Sequence, residues 1–393
     1  MASITIVGGC GHVGLPLGLA FASKGHSVTA YDISAESVSL VNLGKMPFME
    51  EGAPELLCKV IESKSFTATS DPSCLSKAEV IVVVIGTPVD EHLSPDPNSV
   101  VDSVLDLKPY FKANQLILLR STIFPGVTSR IEEKLTAEIP GIHIAYCPER
   151  IVEGQALVEL ETLPQIIGCR TQEVFERASN IFSYLSIKTL QTTPEEAELA
   201  KLFTNVWRYI KFATANQFWM MANDMGVDYD KVRKAISFEY PRAADLPKAG
   251  FTAGPCLFKD TMQLSALVQQ NFPLGHSAMM VNEGLPGYLV SRLSEIYDLR
   301  NMTIGILGMT FKANIDDTRN SLAFKLRKLL SFRTQAVLIT DPFAKDSRLI
   351  PFHEVIKNAD LLIIGAPHTQ YESIATEKPI IDIWGLLNKG VLI

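Results

Sequence analysis

The sequence has few of the features that mark metal-binding and disulfide-stabilised proteins. Its 393 residues include six cysteines and seven histidines, but they form neither a C-x-x-C pair nor an H-E-x-x-H motif. Zinc ribbons and zinc metalloproteases depend on those spacings, so no metal site is predicted. The scattered cysteines also argue against a disulfide framework and fit a reducing cytoplasm.

Long apolar runs and blocks of positive charge are missing as well. The most apolar stretch, Val80–Ile85, is far too short to span a membrane. The formal net charge is -7 without a Lys/Arg-rich block, which argues against a nucleic-acid partner. The chain opens on the apolar segment Ile4–Val7, with no basic segment or cleavage site of a signal peptide. We therefore expect a soluble, cytoplasmic protein without a membrane insertion.

The first half of the chain alternates short apolar runs with amphipathic stretches, a pattern typical of α/β proteins. A length of 393 residues predicts two or three domains rather than a single core. Apolar runs bounded by helical patterns predict the buried strands of a parallel, doubly wound sheet. The predicted strands are Ile4–Val7, Ser27–Tyr31, Val80–Ile85, Leu116–Leu119 and His143–Tyr146.

A different pattern begins at Thr193. A proline and two acidic residues follow it, which is a favourable helix start, and neither Gly nor Pro recurs after that start until Gly226. The pattern predicts a helix of about thirty residues and roughly 45 Å, long enough to link two domains. Beyond residue 300, three further strands predict a smaller α/β domain: Met302–Leu307, Ala336–Ile339 and Leu361–Ile364.

These patterns together predict an α/β protein with two Rossmann-like domains. Each domain has a parallel sheet, and a long central helix with a helical middle domain joins them. The expected boundaries are 1–192 for a dinucleotide-binding domain, 193–300 for the helical middle domain, and 301–393 for the C-terminal domain.

A glycine-rich loop follows the first strand. Gly9, Gly11 and Gly14 form a G-x-G-x-x-G motif between a predicted strand and a predicted helix. In such loops the first glycine allows the tight turn, the second lets a pyrophosphate approach the backbone, and the third lets helix and strand pack closely. The loop, including His12 and Val13, is therefore predicted to bind the phosphates of a dinucleotide.

An acidic residue ends the second predicted strand. Asp32 lies about twenty residues after the glycine loop, where a carboxylate binds the ribose hydroxyls of NAD. A carboxylate there repels the 2′-phosphate of NADP, so NAD is the predicted cofactor. Asp32 could instead cap a helix that starts at Ala35, and the two interpretations are compatible.

Residues 250–260 contain a candidate nucleophile. Cys256 is followed by Lys259 and Asp260, a cation and an acid within one helical turn, and Gly250 and Gly254 allow close approach to a ligand. A nearby cation raises the thiolate fraction of a cysteine. The alternative is an inert core cysteine.

Polar residues on the long helix and at strand ends form a second set of candidates. Lys201 and Asn205 are four residues apart and share a helix face, where an ammonium and an amide could form an oxyanion pocket. The alternative is a surface lysine beside a helix-interior asparagine. Thr122, Glu149 and Glu153 lie just past predicted strands, where ligands bind in such sheets, although caps often occupy the same positions.

Several motifs occur in the order typical of one enzyme family. They are Val7–Pro16, Gly44–Pro47, Gly86–Pro88, Arg120–Thr122, Cys147–Arg150, Ala197–Lys201 with Asn205, Gly254–Asp260, Phe311–Lys312 and Asp316–Ser321. In this order they resemble the UDP-glucose/GDP-mannose dehydrogenase family of nucleotide-sugar dehydrogenases, over essentially the whole chain.

The resemblance implies an NAD-dependent oxidation of a sugar C6 alcohol with two hydride transfers. An aldehyde is captured as a thiohemiacetal, oxidised to a thioester and hydrolysed to a uronic acid used in polysaccharide biosynthesis. The implied catalytic roles are Cys256 as nucleophile, Lys201 and Asn205 as oxyanion donors, Asp260 with Thr122 and a water as base, and Glu149 in thioester hydrolysis.

The same resemblance implies binding residues and a dimer. Thr87, Thr122, Glu153, Lys259 and Arg319 are expected to face the nicotinamide cofactor. Arg150, Lys201, Asn205, Phe251, Gly254 and Lys312 are expected to face a UDP-sugar. Arg242 is expected to reach a neighbouring subunit's site, which implies a homodimer through the long helix.

The choice of sugar depends on a single position. Family members with Pro-Glu-Arg, as at 148–150 here, often oxidise N-acetylated hexosamines, whereas the glucose-specific pattern is Pro-Glu-Phe. A UDP-N-acetylhexosamine is therefore favoured over UDP-glucose. Glu51 and Pro255 depart from the usual loop sequences and make the sugar harder to infer. The rival functions are a single-hydride hydroxyacid dehydrogenase, which needs no nucleophilic cysteine, and a non-catalytic NAD-binding regulator.

Overall fold

The computed structural model describes residues 1–87, 96–185, 188–252 and 254–393. Pro88 of the Gly86–Pro88 motif and Ala253 of the segment 250–260 lie outside these ranges. The chain divides into two compact units, Met1–Thr204 and Asn205–Ile393, and the boundary falls within the long helix. Domain boundaries at residues 192 and 300 stay a prediction.

The described residues of the first unit form eight strands and seven helices, and the long helix starts in this unit. The strands are β1 Ser3–Val7, β2 Ser27–Tyr31, β3 Phe66–Thr69, β4 Val80–Val83, β5 Leu116–Leu119, β6 His143–Tyr146, β7 Gln165–Gly168 and β8 Thr189–Thr192. The helices are α1 Gly14–Ser23, α2 Ala35–Asn42, α3 Ala53–Glu62, α4 Ser99–Asp106, α5 Val127–Thr136, α6 Ala156–Thr162 and α7 Gln172–Phe182.

The eight strands form one sheet in the order β3-β2-β1-β4-β5-β6-β7-β8. The first six are parallel, which is the strand order of a dinucleotide-binding fold. Strand β7 then runs antiparallel to β6, and β8 is parallel to β7. The predicted parallel sheet is therefore confirmed for its first six strands and extended by a reversed pair.

Both faces of this sheet are covered by apolar side chains. Along β4, Val80 and Val82 pack into one core cluster, whereas Ile81 and Val83 pack into another. A strand buried on both faces is apolar at every position, which is why β4 appears in the sequence as a continuous run. The five predicted strands of this unit are confirmed within two residues at each end.

The long helix, α8, spans Pro194–Asp224 and has 31 residues, as the sequence predicts. It begins with a capping box. The Thr193 hydroxyl accepts a hydrogen bond from the Glu196 backbone N–H, and the Glu196 carboxylate accepts one from the Thr193 N–H. This reciprocal pair satisfies two backbone donors and fixes where the helix starts.

The described residues of the second unit contain the rest of α8, five more helices and a smaller sheet. The helices are α9 Tyr229–Ser237, α10 Leu257–Leu267, α11 Pro273–Ile296, α12 Leu322–Ser331 and α13 Phe352–Asn358. The strands are β9 Thr303–Leu307, β10 Ala336–Thr340, β11 Leu361–Ile364 and β12 Ile380–Ile381, all parallel in the order β10-β9-β11-β12. The three strands predicted here are confirmed.

The smaller sheet repeats the start of a dinucleotide-binding fold, with one difference. Asp341 follows β10 as Asp32 follows β2. Its carboxylate is fully buried and accepts hydrogen bonds from the backbone N–H groups of Met309, Thr310, Phe343 and Ala344. The ring of His368 is also buried and lies 3.1 Å from the same carboxylate.

Candidate active site

The glycine loop after β1 makes a tight turn into α1. The positive backbone φ, +75°, belongs to Gly8, and a Cβ there would lie 1.9 Å from the Val84 carbonyl oxygen. Gly9, to which the sequence assigned the tight turn, is the second residue of the turn that the Gly11 N–H closes on the Gly8 carbonyl. A Cβ at Gly9 would instead lie 2.7 Å from Ala30 of the neighbouring strand.

The other two glycines of the motif have the expected surroundings. A Cβ at Gly14 would lie 2.2 Å from the Gly8 carbonyl oxygen, so only glycine lets the helix start this close to the strand. A Cβ at Gly11 would meet no atom nearer than the Gly8 oxygen at 3.6 Å. The backbone at Gly11 is thus open on the side where a pyrophosphate would approach, and the loop fits a dinucleotide.

Asp32 joins the two loops at the ends of β1 and β2. One of its carboxylate oxygens accepts a hydrogen bond from the Cys10 N–H at 3.0 Å, and the other accepts one from the Ser34 N–H. Helix α2 is capped by Ser34, whose hydroxyl accepts from the Ser37 N–H. The sequence alternative that Asp32 is the cap of this helix is therefore wrong, and its carboxylate stands beside the glycine loop.

Glu149 follows β6 and is held by three donors. One carboxylate oxygen accepts from the guanidinium of Arg120, which follows β5. The other accepts from the backbone N–H groups of Arg150 and Ile151, at 2.7 and 3.0 Å. Arg120 also donates to the Gln165 side chain at 2.8 Å, and burial lowers the pKa of its guanidinium to about 10. A buried ion pair thus fixes the carboxylate at the carboxyl end of the sheet.

Glu153, four residues later, approaches the glycine loop. Its carboxylate lies 2.7 Å from His12 Nδ1, and the His12 ring packs on Phe48 with 4.0 Å between ring centroids. The segment that carries Glu153 is anchored by Glu50, whose carboxylate accepts hydrogen bonds from the N–H groups of Gly154 and of Ala156, the first residue of α6. Glu153 and the glycine loop are therefore brought together, as expected for two cofactor-binding segments.

The loops after β4 and β5 are joined by a hydroxyl group. The Ser121 side chain accepts a hydrogen bond from the Ile85 N–H at 2.7 Å. This bond joins the segment that carries Thr87, which is buried, to the segment that carries Thr122, which is half-buried. Both threonines thus lie at the carboxyl end of parallel strands, the edge where ligands bind in such sheets.

The second unit holds the candidate nucleophile. Cys256 is exposed and is the N-cap residue of α10, so its thiol lies at the positive end of that helix dipole. The alternative of an inert core cysteine is wrong for this residue. By contrast, burial raises the pKa of the Cys10 and Cys147 thiols to about 12, which keeps them protonated.

Asp260 lies one turn after Cys256 on α10 and is fully buried. Its carboxylate accepts a hydrogen bond from the Asn205 amide at 2.5 Å, and the Lys259 ammonium lies 3.7 Å away. An exposed thiol, a buried carboxylate, an amide and an ammonium are therefore close together within this unit. Such a set can capture a carbonyl carbon and move a proton.

Lys201 and Asn205 lie on α8 and are both buried, at 9% and 4% exposure. The alternative of a surface lysine is therefore wrong. Glu198, on the preceding turn, accepts hydrogen bonds from the N–H groups of Gly126 and Thr128 at the start of α5, at 2.6 and 2.9 Å. This contact fixes the rotation of the first part of α8 within its unit, and with it the position of Lys201.

The predicted sugar-binding residues of the second unit differ in their surroundings. Gly254 has a backbone φ of +106°, and a Cβ there would lie 2.7 Å from the Phe311 ring. Phe251 is buried and packs edge-on against Trp384. Arg242 is exposed and stacks on Tyr240, with 4.6 Å from its guanidinium carbon to the ring centroid. Their contacts with a sugar stay a prediction.

Two further residues follow β9. The Arg319 guanidinium binds Asp317 through two nitrogens, at 2.8 and 2.6 Å, and is half exposed. Lys312 is half-buried, and its carbonyl accepts from the Thr310 hydroxyl. Both stay predicted ligand-binding residues.

The sequence did not identify the residues that hold the candidate groups in place. Arg120, Ser121 and Glu198 appeared only as parts of motifs, while Gln165 and Glu50 were not singled out. These are side chains that bind residues far along the chain, such as Glu50 with Gly154, and spacing carries no signal for such pairs.

Among the described residues, none of the helices is both long and apolar enough to cross a membrane.

Three segments of the chain match domains of the UDP-glucose/GDP-mannose dehydrogenase family. Residues 2–186 match its NAD binding domain, residues 195–284 its central domain, and residues 305–389 its UDP binding domain.

Individual relatives are similar over nearly the whole chain. A UDP-N-acetyl-D-mannosamine dehydrogenase of Pyrococcus horikoshii is 28% identical, covering 94% of this chain and 90% of the relative. A protein of the same name from Yersinia pestis is 27% identical, covering 99% of both. The solved structure of a UDP-glucose dehydrogenase from Pyrobaculum islandicum superimposes with a TM-score of 0.89 at 26% identity, covering 97% of this chain and 94% of that one.

The glycine loop with Asp32 fits NAD, and the smaller sheet lies in the segment that matches a UDP binding domain. An NAD-dependent dehydrogenase acting on a UDP-sugar accounts for both. The chain belongs to the UDP-glucose/GDP-mannose dehydrogenase family and is an NAD-dependent nucleotide-sugar dehydrogenase.

Proposed function

We propose that the enzyme oxidises the C6 hydroxyl of a UDP-N-acetylhexosamine to the uronic acid in two steps through a covalent bond to Cys256. One observation carries this proposal. The exposed Cys256 thiol caps α10 one turn ahead of the buried Asp260 carboxylate, which is bound by the Asn205 amide. Oxidation to an aldehyde alone needs no thiol, whereas oxidation to an acid proceeds readily through a thioester.

In the first oxidation, Asp260 acts as the base together with Thr122 and a water. When bound, NAD accepts one hydride from C6 in each oxidation. The proton of the C6 hydroxyl passes through the water to the Asp260 carboxylate, which burial and the Asn205 amide hold in one orientation. The product at C6 is an aldehyde.

In the second oxidation, the Cys256 thiolate adds to the aldehyde carbon and forms a C–S bond. The negative charge that develops on the aldehyde oxygen is held by the Lys201 ammonium and the Asn205 amide. An amide nitrogen carries two hydrogens, so Asn205 can bind Asp260 and the oxyanion at the same time. Loss of a second hydride from C6 gives the thioester.

In the last step, water attacks the thioester carbon with Glu149 as the base. The proton of the water goes to the Glu149 carboxylate, the C–S bond breaks, and Cys256 leaves as the thiolate. The Arg120 guanidinium and the backbone donors of residues 150 and 151 hold the carboxylate for this role.

The choice of an N-acetylated sugar is supported by Arg150 and by the names of two relatives. UDP-N-acetyl-D-mannosamine dehydrogenases from an archaeon and a bacterium align with this chain over more than nine-tenths of its length. UDP-glucose is the alternative, because a UDP-glucose dehydrogenase superimposes with a TM-score of 0.89. We propose that the enzyme works in the cytoplasm and supplies uronic acid for polysaccharide biosynthesis.

The test is the number of NADH molecules formed per sugar. Purified protein is mixed with NAD and, separately, UDP-N-acetylmannosamine, UDP-N-acetylglucosamine, UDP-N-acetylgalactosamine, UDP-glucose and GDP-mannose. The wild-type protein is expected to form two NADH per UDP-N-acetylhexosamine. Cys256→Ala is expected to form no more than one. Cys58→Ala, which removes another exposed thiol, serves as the matched control and keeps full activity.

Other outcomes identify the rival functions. One NADH per substrate, or undiminished activity of Cys256→Ala, excludes the thioester route and indicates a simple alcohol dehydrogenase that transfers a single hydride. NAD binding without turnover of any of the five substrates is the outcome that a non-catalytic NAD-binding regulator predicts, and it would leave only the cofactor assignment standing. Two NADH with UDP-glucose alone would retain the mechanism and change the sugar.

We further propose that the enzyme is a homodimer through α8. Four large apolar side chains on this helix, together with Met225 directly after its last residue, are exposed and lie within about 60° of the helix circumference. They are Phe203, Trp207, Phe218, Met221 and Met225, at 43% to 78% exposure. A continuous apolar stripe on one helix suits a two-fold contact, in which the same surface of a second copy covers it.

Light scattering after gel filtration tests the dimer. The wild-type protein is expected at twice the mass of one chain, and Trp207→Glu at the mass of one chain, because a buried charge without a partner disrupts such an interface. Phe332→Glu changes another exposed aromatic residue and should leave the dimer intact. A monomeric wild type would contradict the proposal.

A further inference from the structure

Arg120 is a buried cation in direct contact with Glu149. Its side chain is about 1% exposed and lies between two acceptors, the Glu149 carboxylate and the Gln165 side-chain oxygen at 2.8 Å. The Phe182 ring covers it, with 5.2 Å between the guanidinium carbon and the ring centroid. Moving a guanidinium out of water has a large desolvation penalty, which its hydrogen-bond and ion-pair partners must offset.

The Glu149 carboxylate has a single orientation in this arrangement. One carboxylate oxygen accepts a hydrogen bond from the Arg120 guanidinium, and the other accepts hydrogen bonds from the backbone N–H groups of residues 150 and 151. A cavity of about 20 Å³, room for one water molecule, lies beside the pair and is lined by Arg120, Glu149 and Gln165 among others. Within the described part of the chain, Arg120 Nε has no hydrogen-bond partner.

We propose that Arg120 is a positioning residue for Glu149 and that it sets the rate of thioester hydrolysis but not the rate of the two hydride transfers. The inference rests on the proposed function, in which Glu149 accepts the proton of the attacking water. Arg120 takes no proton and touches no reacting atom. It acts by keeping the Glu149 carboxylate in one orientation and by offsetting its buried negative charge.

The hydrolytic step defines what should change when Arg120 is replaced. Water adds to the thioester carbon, one water proton moves to Glu149, and the C–S bond electrons leave with Cys256. Without the guanidinium, the buried carboxylate keeps its proton to a higher pH and rotates more freely, so fewer enzyme molecules hold a base in place. Both hydride transfers precede this step and do not use Glu149.

The experiment is rapid mixing of Arg120→Met with NAD and the substrate found by the NADH assay. A burst of two NADH per active site at the wild-type rate is expected, followed by steady turnover about 10- to 100-fold slower, within the usual contribution of a general base. Mass spectrometry of the quenched protein should show the acyl group accumulated on Cys256. The hydrolytic rate should reach its plateau at a higher pH than in the wild type.

Three comparisons separate positioning from a general loss of structure. Arg120→Lys keeps a positive charge beside Glu149 and should hydrolyse at least several-fold faster than Arg120→Met. Arg120→Met should add nothing to the defect of Glu149→Gln. Arg170→Met removes another ion-paired arginine of the same unit, one that binds Glu195 and Glu132, and should leave both phases unchanged.

A burst slowed as much as the steady phase would overturn the inference, as would wild-type hydrolysis in Arg120→Met or equal rates in the Met and Lys variants. If Arg120→Met does not fold, Arg120→Lys is compared with the wild type by the same ratio of burst to steady rate. Failure of the proposed function is distinguishable, because wild-type protein would then form one NADH and no Cys256 adduct.

Discussion

Substitution of Gly11 by alanine separates the cofactor site from the fold. A Cβ at Gly11 meets nothing nearer than 3.6 Å, and the residue lacks the positive φ that favours glycine at Gly8. The free energy of unfolding should therefore change by no more than about 0.5 kcal/mol. The added methyl group instead occupies the side open to a pyrophosphate and removes at least one charge-assisted hydrogen bond, about 1.5–3 kcal/mol. NAD affinity should fall about 10- to 100-fold.

Gly14→Ala is the matched comparison, because the same methyl group has no room there. Its Cβ would lie 2.2 Å from the Gly8 carbonyl oxygen, a backbone atom, so the start of α1 must move. We expect this variant to lose about 1–3 kcal/mol of stability or more as well as NAD affinity. Urea unfolding and calorimetric titration with NAD measure the two quantities. Wild-type NAD affinity in Gly11→Ala, or a loss of stability as large as in Gly14→Ala, would refute the reasoning.

Two further predictions concern carboxylates near the start of α8. Glu198→Ala leaves the N–H groups of Gly126 and Thr128 buried without an acceptor, so the midpoint of urea unfolding should fall by an amount equivalent to about 2–4 kcal/mol; an unchanged midpoint would contradict this. The hydrogen bond from Arg170 lowers the pKa of Glu195 from 4.5 to about 2, so this exposed pair stabilises the fold above pH 4.5 and loses its effect as the pH falls toward 2. Wild type and Glu195→Gln should differ by about 0.5–1 kcal/mol at pH 7 and by only a small part of that near pH 2, where about half of the carboxylates are protonated; a difference that persists undiminished in acid would exclude the pair as its source.

The strands that could be predicted are those buried on both faces. β4 and β5 appear as four apolar residues in a row, and nothing but a buried strand or helix segment suits such a run. β8, Thr189–Thr192, has no fully buried residue and lies at the edge of the sheet, so its sequence carries no periodic signal. The antiparallel pairing of β7 with β6 depends on the path of the connecting chain, and the pattern of apolar and polar residues does not show that path.

The candidate site was predictable where one local segment defines it. Cys256, Lys259 and Asp260 occupy one turn of helix, and the glycine loop is a continuous motif. The Asn205–Asp260 and Arg120–Glu149 pairs join residues 55 and 29 positions apart, and only the fold brings them together. The position of the positive φ at Gly8 was missed because several glycines in a row satisfy the same pattern.

Asp341 has a consequence for how one architecture serves two ligands. The first sheet leaves the Asp32 carboxylate with two backbone donors at the edge of an open loop, where a ribose can compete for it. In the second sheet the corresponding carboxylate is saturated by four backbone donors and closed off by His368. The acidic group that offers a ribose its contact in the first sheet is therefore used inside the protein in the second, although both sheets begin with the same strand order.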